Sequence, residues 1–323
     1  MRARRKHATG RGQQTADDIV LEAAWQYYYE ERNQNEIAEA LGVSRSSVVG
    51  YLQQARESGL VEVRLDPTGF ARHHYARELK QRYGLADVQI APGNSYSLKR
   101  VAMLAARCLP DLVGAGDTLG VAWGQTVFTL AEYLVPREIE NLTVVQMVGA
   151  MSSPYGFDTE SCASQIALAL GGRCVNLHVP AIVSSPEMAE AIQREAIIAS
   201  QLKELTHINK VLFAVGSCKP DSHIVSSGIA TLEDLAEYHR IGAVGVVCGR
   251  FINRAGEHIY GHLDNRLIGI TPDRVLGLQT GILVSSGADK AEGMHAALLG
   301  GYATHLFTDE ATARGILSCA AAD

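Results

Sequence analysis

Two sets of residues in this 323-residue chain have the types and spacing to do chemistry. The first lies within residues 33–56, NQNEIAEALGVSRSSVVGYLQQAR. From Ser44 to Arg56 there are two arginines and no acid. Arg45 and Arg56 can grip guanine bidentately, Gln53 and Gln54 can read adenine, and Ser44, Ser46 and Ser47 can meet phosphate or base edges. Asn33 and Gln34, at the start of the preceding helix, are candidate DNA contacts with them. Gly50 costs about 1 kcal/mol relative to alanine inside a helix. It is either merely tolerated or marks a close backbone approach to a phosphate. The bland alternative for the whole stretch is a helical hairpin with a polar face.

The second set sits in glycine-bearing loops that follow apolar runs. Gly124-Gln125-Thr126 opens a helix directly after a strand pattern, so exposed amides and the helix dipole favour an anion there and Thr126 adds a hydroxyl. Gly149-Ala150, Gly216-Ser217, the run 245–251 with Arg250, and Gly287 followed by Lys290 repeat the theme. Arg250 and Lys290 are the cations best placed to meet a phosphate, although each read alone is a surface charge. Phe157 and Asp158 precede a helix that Glu160 enters. The carboxylates of Asp158 and Glu160 suit hydroxyl binding or acid–base work, or simply complement the helix dipole. Together these strand ends predict a sugar-sized pocket. No Gly-Lys-Ser/Thr phosphate loop, GxGxxG or GxSxG is present. The histidines cluster nowhere at ligand spacing, so neither a catalytic metal nor a cofactor is expected.

These residues need scaffolds, and the sequence supplies two. Asn33 with Glu36 reads as a capping box, Ile37, Ala38 and Leu41 share a helical face, and Gly42 suits a left-handed stop. Ser44 caps a second helix whose Val48 and Leu52 turn inward. The pair forms a helix-turn-helix braced by a helix from Asp17 to about residue 31. Of Tyr27, Tyr28 and Tyr29, one or two are expected inside and one exposed. Residues 60–65 alternate like a short strand, which makes the unit a winged variant. Asp66-Pro67-Thr68-Gly69 reads as a linker. The chain therefore divides into a basic, disordered arm (1–16), a DNA-binding unit (17–65), a linker (66–70) and a ligand-binding domain (71–323).

The second domain alternates strand and helix patterns. Strands are expected at 86–91, 118–122, 142–148, 173–178, 210–215, 243–247, 277–284 and 304–307. Helices are expected at 71–83, 96–109, 124–134, 159–170, 187–202, 231–240, 288–299 and 309–318. The class is α/β, with a Rossmann-like parallel sheet covered by helices on both faces and ligands beyond the carboxyl ends of the strands.

Composition sets the bounds. A hydrophobic share of 47% and a charged share of 20% describe a globular chain, and no uncharged apolar run of about 18 residues predicts a membrane span. The first 16 residues carry five Lys/Arg and no acid; they touch phosphates or form a solvated tail. Six scattered cysteines without CxxC fit a reduced, cytoplasmic protein.

Taken in order, Trp25-Gln26-Tyr27-Tyr28, residues 33–38 (NQNEIA), 41–45 (LGVSR), Gly59-Leu60-Val61, 120–126 (GVAWGQT), 242–245 (GAVG), 287–290 (GADK), Ala296-Ala297-Leu298 and 308–313 (TDEATA) resemble the SorC family of bacterial transcriptional regulators. That resemblance implies an effector domain sharing its fold with glucosamine-6-phosphate deaminase, ribose-5-phosphate isomerase and CoA transferases. It further implies a sugar phosphate or polyol effector that changes affinity for double-stranded operator DNA, and a homo-oligomer, dimer or tetramer. Carried over, Gly124, Gln125, Thr126 and Lys290 would face the phosphate end of the ligand. Val246 departs from the family's usual Asp, which implies a smaller, less hydroxylated or differently oriented ligand, and Gly50 departs from a frequent Arg, which implies a different operator. The expected function is regulation of carbohydrate or polyol catabolism. Two alternatives compete with it: a sugar-phosphate isomerase or deaminase with an accessory DNA module, and a metabolite sensor whose N-terminal unit binds protein.

Overall fold

A computed structural model describes residues 16–61, 67–93, 95–151 and 159–321. The chain splits into two compact units, Met1–Asp66 and Pro67–Asp323.

In the first unit, α1 (Ala16–Tyr28), α2 (Gln34–Leu41) and α3 (Arg45–Glu57) surround a small core of Ala23, Ile37, Ala38, Val48 and Leu52. Local sequence explains the boundaries. The Asn33 side chain accepts from the Asn35 and Glu36 amides while Glu36 accepts from the Asn33 amide, closing the capping box. Gly42 ends α2 at φ 66°, where a side chain would be strained. Ser44 accepts from the Ser47 amide and starts α3. The tyrosine run differs from expectation. Tyr27 is 37%, Tyr28 41% and Tyr29 71% exposed, because α1 turns Val20, Ala23 and Ala24 inward and buries Gln26 in place of an aromatic. The wing strand expected over 60–65 falls mostly outside the described residues, as does the 1–16 arm apart from Ala16.

The second unit begins with α4 (Pro67–Tyr83), four residues earlier than the sequence suggests. Proline is preset for the first helical position, where its missing N–H removes nothing. There follow β1 (Asp87–Ala91), α5 (Leu98–Leu112), β2 (Thr118–Val121), α6 (Gln125–Glu132), β3 (Thr143–Gln146), α7 (Thr159–Ala169), β4 (Arg173–Val175), α8 (Pro186–Arg194) and α9 (Ala196–Glu204). The second half contains β5 (Lys210–Phe213), β6 (Val215–Gly216), α10 (His223–Ser226), α11 (Leu232–Arg240), β7 (Ala243–Val247), β8 (Arg250–Asn253), β9 (Thr280–Val284), α12 (Ala291–Leu299), β10 (His305–Asp309) and α13 (Glu310–Ala321).

Seven strands form a parallel sheet in the order β1-β10-β9-β5-β2-β3-β4. The sheet is buried on both faces, as parallel sheets are, between one core around Phe213, Leu283 and Ile316 and another around Leu119, Val144 and Phe307. Two expectations change. The 187–202 helix breaks at the extended Glu195 into α8 and α9. The 243–247 strand belongs instead to a separate antiparallel sheet, β6-β7-β8. There the supposed loop 245–251 is strand, turn, strand, with Cys248 at φ 51° and Gly249 at φ 77° forming the two-residue reversal. No helix among the described residues is long and apolar enough to cross a membrane.

Candidate functional site

Three adjacent strands in the middle of the sheet, β9, β5 and β2, deliver their carboxyl ends to one cavity of about 220 Å³. After β2, Gly124 adopts φ 146°, a backbone conformation side chains rarely adopt, and caps α6 without a side-chain hydrogen bond. The first amides of α6 therefore carry no intrahelical acceptor, and they lie at the positive end of its dipole. Gln125 and the buried Thr126 line the cavity here. After β5 come Gly216 and Ser217, and after β9 the turn Ala288–Lys290 brings Lys290 to the same place.

Lys290 is the cationic group of this cavity. It is half-buried, and no hydrogen bond or ion pair ties it among the described residues. Burial pushes its pKa down, and the neighbouring Asp289 offsets this only in part. The loop that presents it is held from behind. Buried Asp309, at the end of β10, accepts from the Ser97 amide (3.0 Å), the Thr312 amide (2.8 Å) and the Ser286 hydroxyl. Thr312 in turn accepts from the Gly287 amide at 2.9 Å. The sequence marked Asp309 and Thr312 as part of a pattern but not as the anchor of this loop. At the far end of the turn, Gly245 of β7 packs against Gly293 of α12 so closely that a Cβ on Gly245 would lie 2.7 Å from the Gly293 Cα. Two glycines are needed for α12, and so Lys290, to sit where it does.

The rest of the wall was foreseen only in part. Trp123 stacks on His223 with ring centroids 6.1 Å apart and planes inclined by 20°. Burial, and then the charge of Lys290, lower the His223 pKa. Ser222 contributes a buried hydroxyl with no hydrogen-bond partner among the described residues. Val246 of β7 and Cys248 of the reversal after it both line the cavity, and Val246 fills the space left by the missing Cβ of its cross-strand partner Gly216. Burial pushes the Cys248 thiol up to about 12, so it is neutral. Trp123 lay within the 120–126 loop without being singled out, and no local signal pointed to His223 or Ser222, because α10 is a single short turn.

Of the residues read as ligand-binding, Gly124, Gln125, Thr126, Gly216, Ser217 and Lys290 come together. Others do not. Arg250 is buried elsewhere, its guanidinium consumed by the Asp264 carboxylate (2.6 Å) and by the carbonyls of Asp264, Leu267 and Ile270. Gly149 and Ala150 have their amides bonded to the Ile268 and Val179 carbonyls, and backbone closes over Gly149. Gly287 supports the loop from outside the cavity lining. Phe157 and Asp158 lie outside the described residues. No group of three or more His, Cys, Asp or Glu that could hold a metal occurs among the described residues.

In the first unit, Arg45, Ser46, Gly50, Gln53 and Arg56 are exposed on α3, Ser46, Gly50 and Gln53 on the side away from the buried Val48, Leu52 and Ala55 and the two arginines on its flank. The Arg45 Nε donates to Gln34 at 3.3 Å, and both border an open groove that Asn33 also lines. Ser44 and Ser47 are engaged with each other in the cap, Gln53 donates to Glu57 (2.8 Å), and Gln54 is exposed on the helix flank. A Cβ added at Gly50 would meet nothing within 4 Å. Val49, 43% exposed on this face, was missed because apolar residues are ordinarily assigned inward.

A doubly covered parallel sheet with an anion-suited cavity at its strand tips, preceded by a helix-turn-helix, defines a ligand-sensing class of protein, and the comparisons agree. The profile of the family described as "Putative sugar-binding domain" matches residues 70–318. The chain is 37% identical over 312 residues to the "Uncharacterized transcriptional regulator YjhU" of Escherichia coli K12, covering 94% of this chain and 95% of that one. It is 28% identical over 308 residues to the "Deoxyribonucleoside regulator" of Bacillus subtilis strain 168, covering 93% and 97%. The crystal structure of the full-length sorbitol operon regulator SorC from Klebsiella pneumoniae matches with a TM-score of 0.71 and 21% identity over 94% of this chain and 99% of that one, a likeness of fold. The chain belongs to this sugar-binding family of SorC-type regulators.

Proposed function

We propose that the protein is a DNA-binding transcriptional regulator whose affinity for its operator is set by a sugar phosphate, or a related small polyhydroxy ligand, in the cavity at the tips of β9, β5 and β2. The relatives are named as regulators and not as enzymes, and the protein is a regulator rather than an enzyme. One observation carries the ligand reading: an untied, half-buried lysine faces the same small cavity as the open N-terminus of α6. A phosphate there would meet a cation and free amides, with Thr126, Ser217 and Ser222 left for sugar hydroxyls and the Trp123 ring for a sugar face. Arg45, Ser46, Val49, Gln53 and Arg56 read the major groove from α3. The regulator acts on chromosomal DNA in the cytoplasm as a homo-oligomer, in which paired reader helices address successive grooves about 34–36 Å apart.

A thermal-shift screen of matched phosphorylated and free sugars and polyols, repeated on Lys290→Ala, tests the pocket. The expected result is a rise in melting temperature with a phosphorylated compound that the variant loses. Equal responses from both proteins contradict the assignment.

A further inference from the structure

Helix α4 carries Arg72, His73, Arg77, Lys80 and two further basic residues on other faces, against the single acid Glu78. The four named residues share one side of the helix, given 100° per residue, and span about 12 Å along its axis. They line one groove of about 440 Å³ together with Asp87 and Gln89 of β1, the strand at the edge of the large sheet. None of the four takes part in an ion pair among the described residues, and Asp87 is occupied by the Gln89 amide at 2.7 Å. Glu78 points to a different face, where it meets His74 at 3.5 Å. Against the one carboxylate of Asp87, three basic side chains and a histidine thus give the groove a net positive charge on an open surface, remote in sequence from every residue of the sugar cavity.

We propose that this face of α4 is a second DNA-contact surface, which grips backbone phosphates of the duplex. It rests on the DNA-binding reading above and extends the footprint to a part of the chain outside the helix-turn-helix. Charge selects duplex DNA as the occupant: its phosphates complement the groove along its whole length, since a duplex carries one charge per about 1.7 Å of axis. A face that touches phosphates alone adds affinity and salt dependence but no sequence preference.

The test uses the full-length protein, the duplex upstream of its own gene and a random duplex of equal length, with anisotropy titrations over a series of KCl concentrations. The variant is Arg72→Gln/Arg77→Gln/Lys80→Gln, and Arg45→Ala runs beside it. In the triple variant, affinity for both duplexes falls about tenfold or more at low salt, the ratio between them is kept, and the slope of log K against log salt becomes shallower by about 2–3. Arg45→Ala does the opposite, lowering the ratio. The sugar-phosphate thermal response of the triple variant stays as in wild type, which shows that it is folded. Unchanged affinity and slope overturn the proposal. So does loss of self-association by light scattering with an unchanged slope, which would assign the face to a subunit contact. If wild type retains neither duplex, the DNA-binding reading falls and this surface falls with it.

Discussion

A half-buried lysine without a tied partner burdens the folded chain, and Lys290 is in that position. Its folded pKa lies below the unfolded value of about 10.4, so the native state binds the proton less tightly than the unfolded state does. The penalty is full below the folded pKa and is relieved as pH rises from there towards the unfolded value. Lys290→Met should therefore raise the melting temperature of the ligand-free protein at neutral pH by a few degrees while abolishing the response to phosphorylated sugars. A melting temperature below wild type, read by calorimetry, would show that Lys290 is structural. The sequence pointed at Lys290 because a cation one turn into a helix after a glycine-bearing strand end suits an anion. It pointed at Arg250 by the same logic and failed. Nothing local reveals that Asp264, fourteen residues on, folds back to take up that guanidinium. Residue type announces charge, whereas burial and partners decide whether the charge is spent.

Arg250 acts on the scale of elements. Burial would raise the Asp264 carboxyl, but hydrogen bonds from His258, the Gly261 amide and Arg250 outweigh it and hold the pKa to about 2. The carboxylate thereby fastens the 258–270 segment to the β7–β8 hairpin, whose Val246 and Cys248 wall the cavity. The folded pKa is lowered, so this stabilisation is present above about 3.9 and is lost as pH falls through about 2. Asp264→Asn leaves Arg250 buried and unpaired; urea melts at neutral pH should show a loss of about 3–5 kcal/mol. A loss under 1 kcal/mol would mean that the segment is held by packing alone. Elements set by local rules were legible: the Asn33 box, the Gly42 stop, and strands and helices alternating along the second unit. The hairpin was not, because its Cys248-Gly249 reversal lacks the usual Asn-Gly or Asp-Gly signal and its apolar strand looks the same in a parallel or an antiparallel sheet. The exposed Tyr27–Tyr29 run failed for a different reason: in a small three-helix unit, alanines, valines, Ile37 and Leu52 fill the core, and the aromatic packed against it is Tyr51 of α3.

For the whole molecule, the question is how a small ligand alters grip on a duplex. A ligand shifts an equilibrium only by its differential affinity for the two states, typically enough for a 5–150-fold change. The sugar-binding family profile spans residues 70–318, and the proposed DNA reader precedes it. The most direct measurement is the affinity of the full-length protein for its upstream duplex, with and without a saturating sugar phosphate that raises the melting temperature. A change of about fivefold or more in wild type, absent in Lys290→Ala, is the predicted result. The same affinity in wild type with the pocket filled and with it empty would contradict the account.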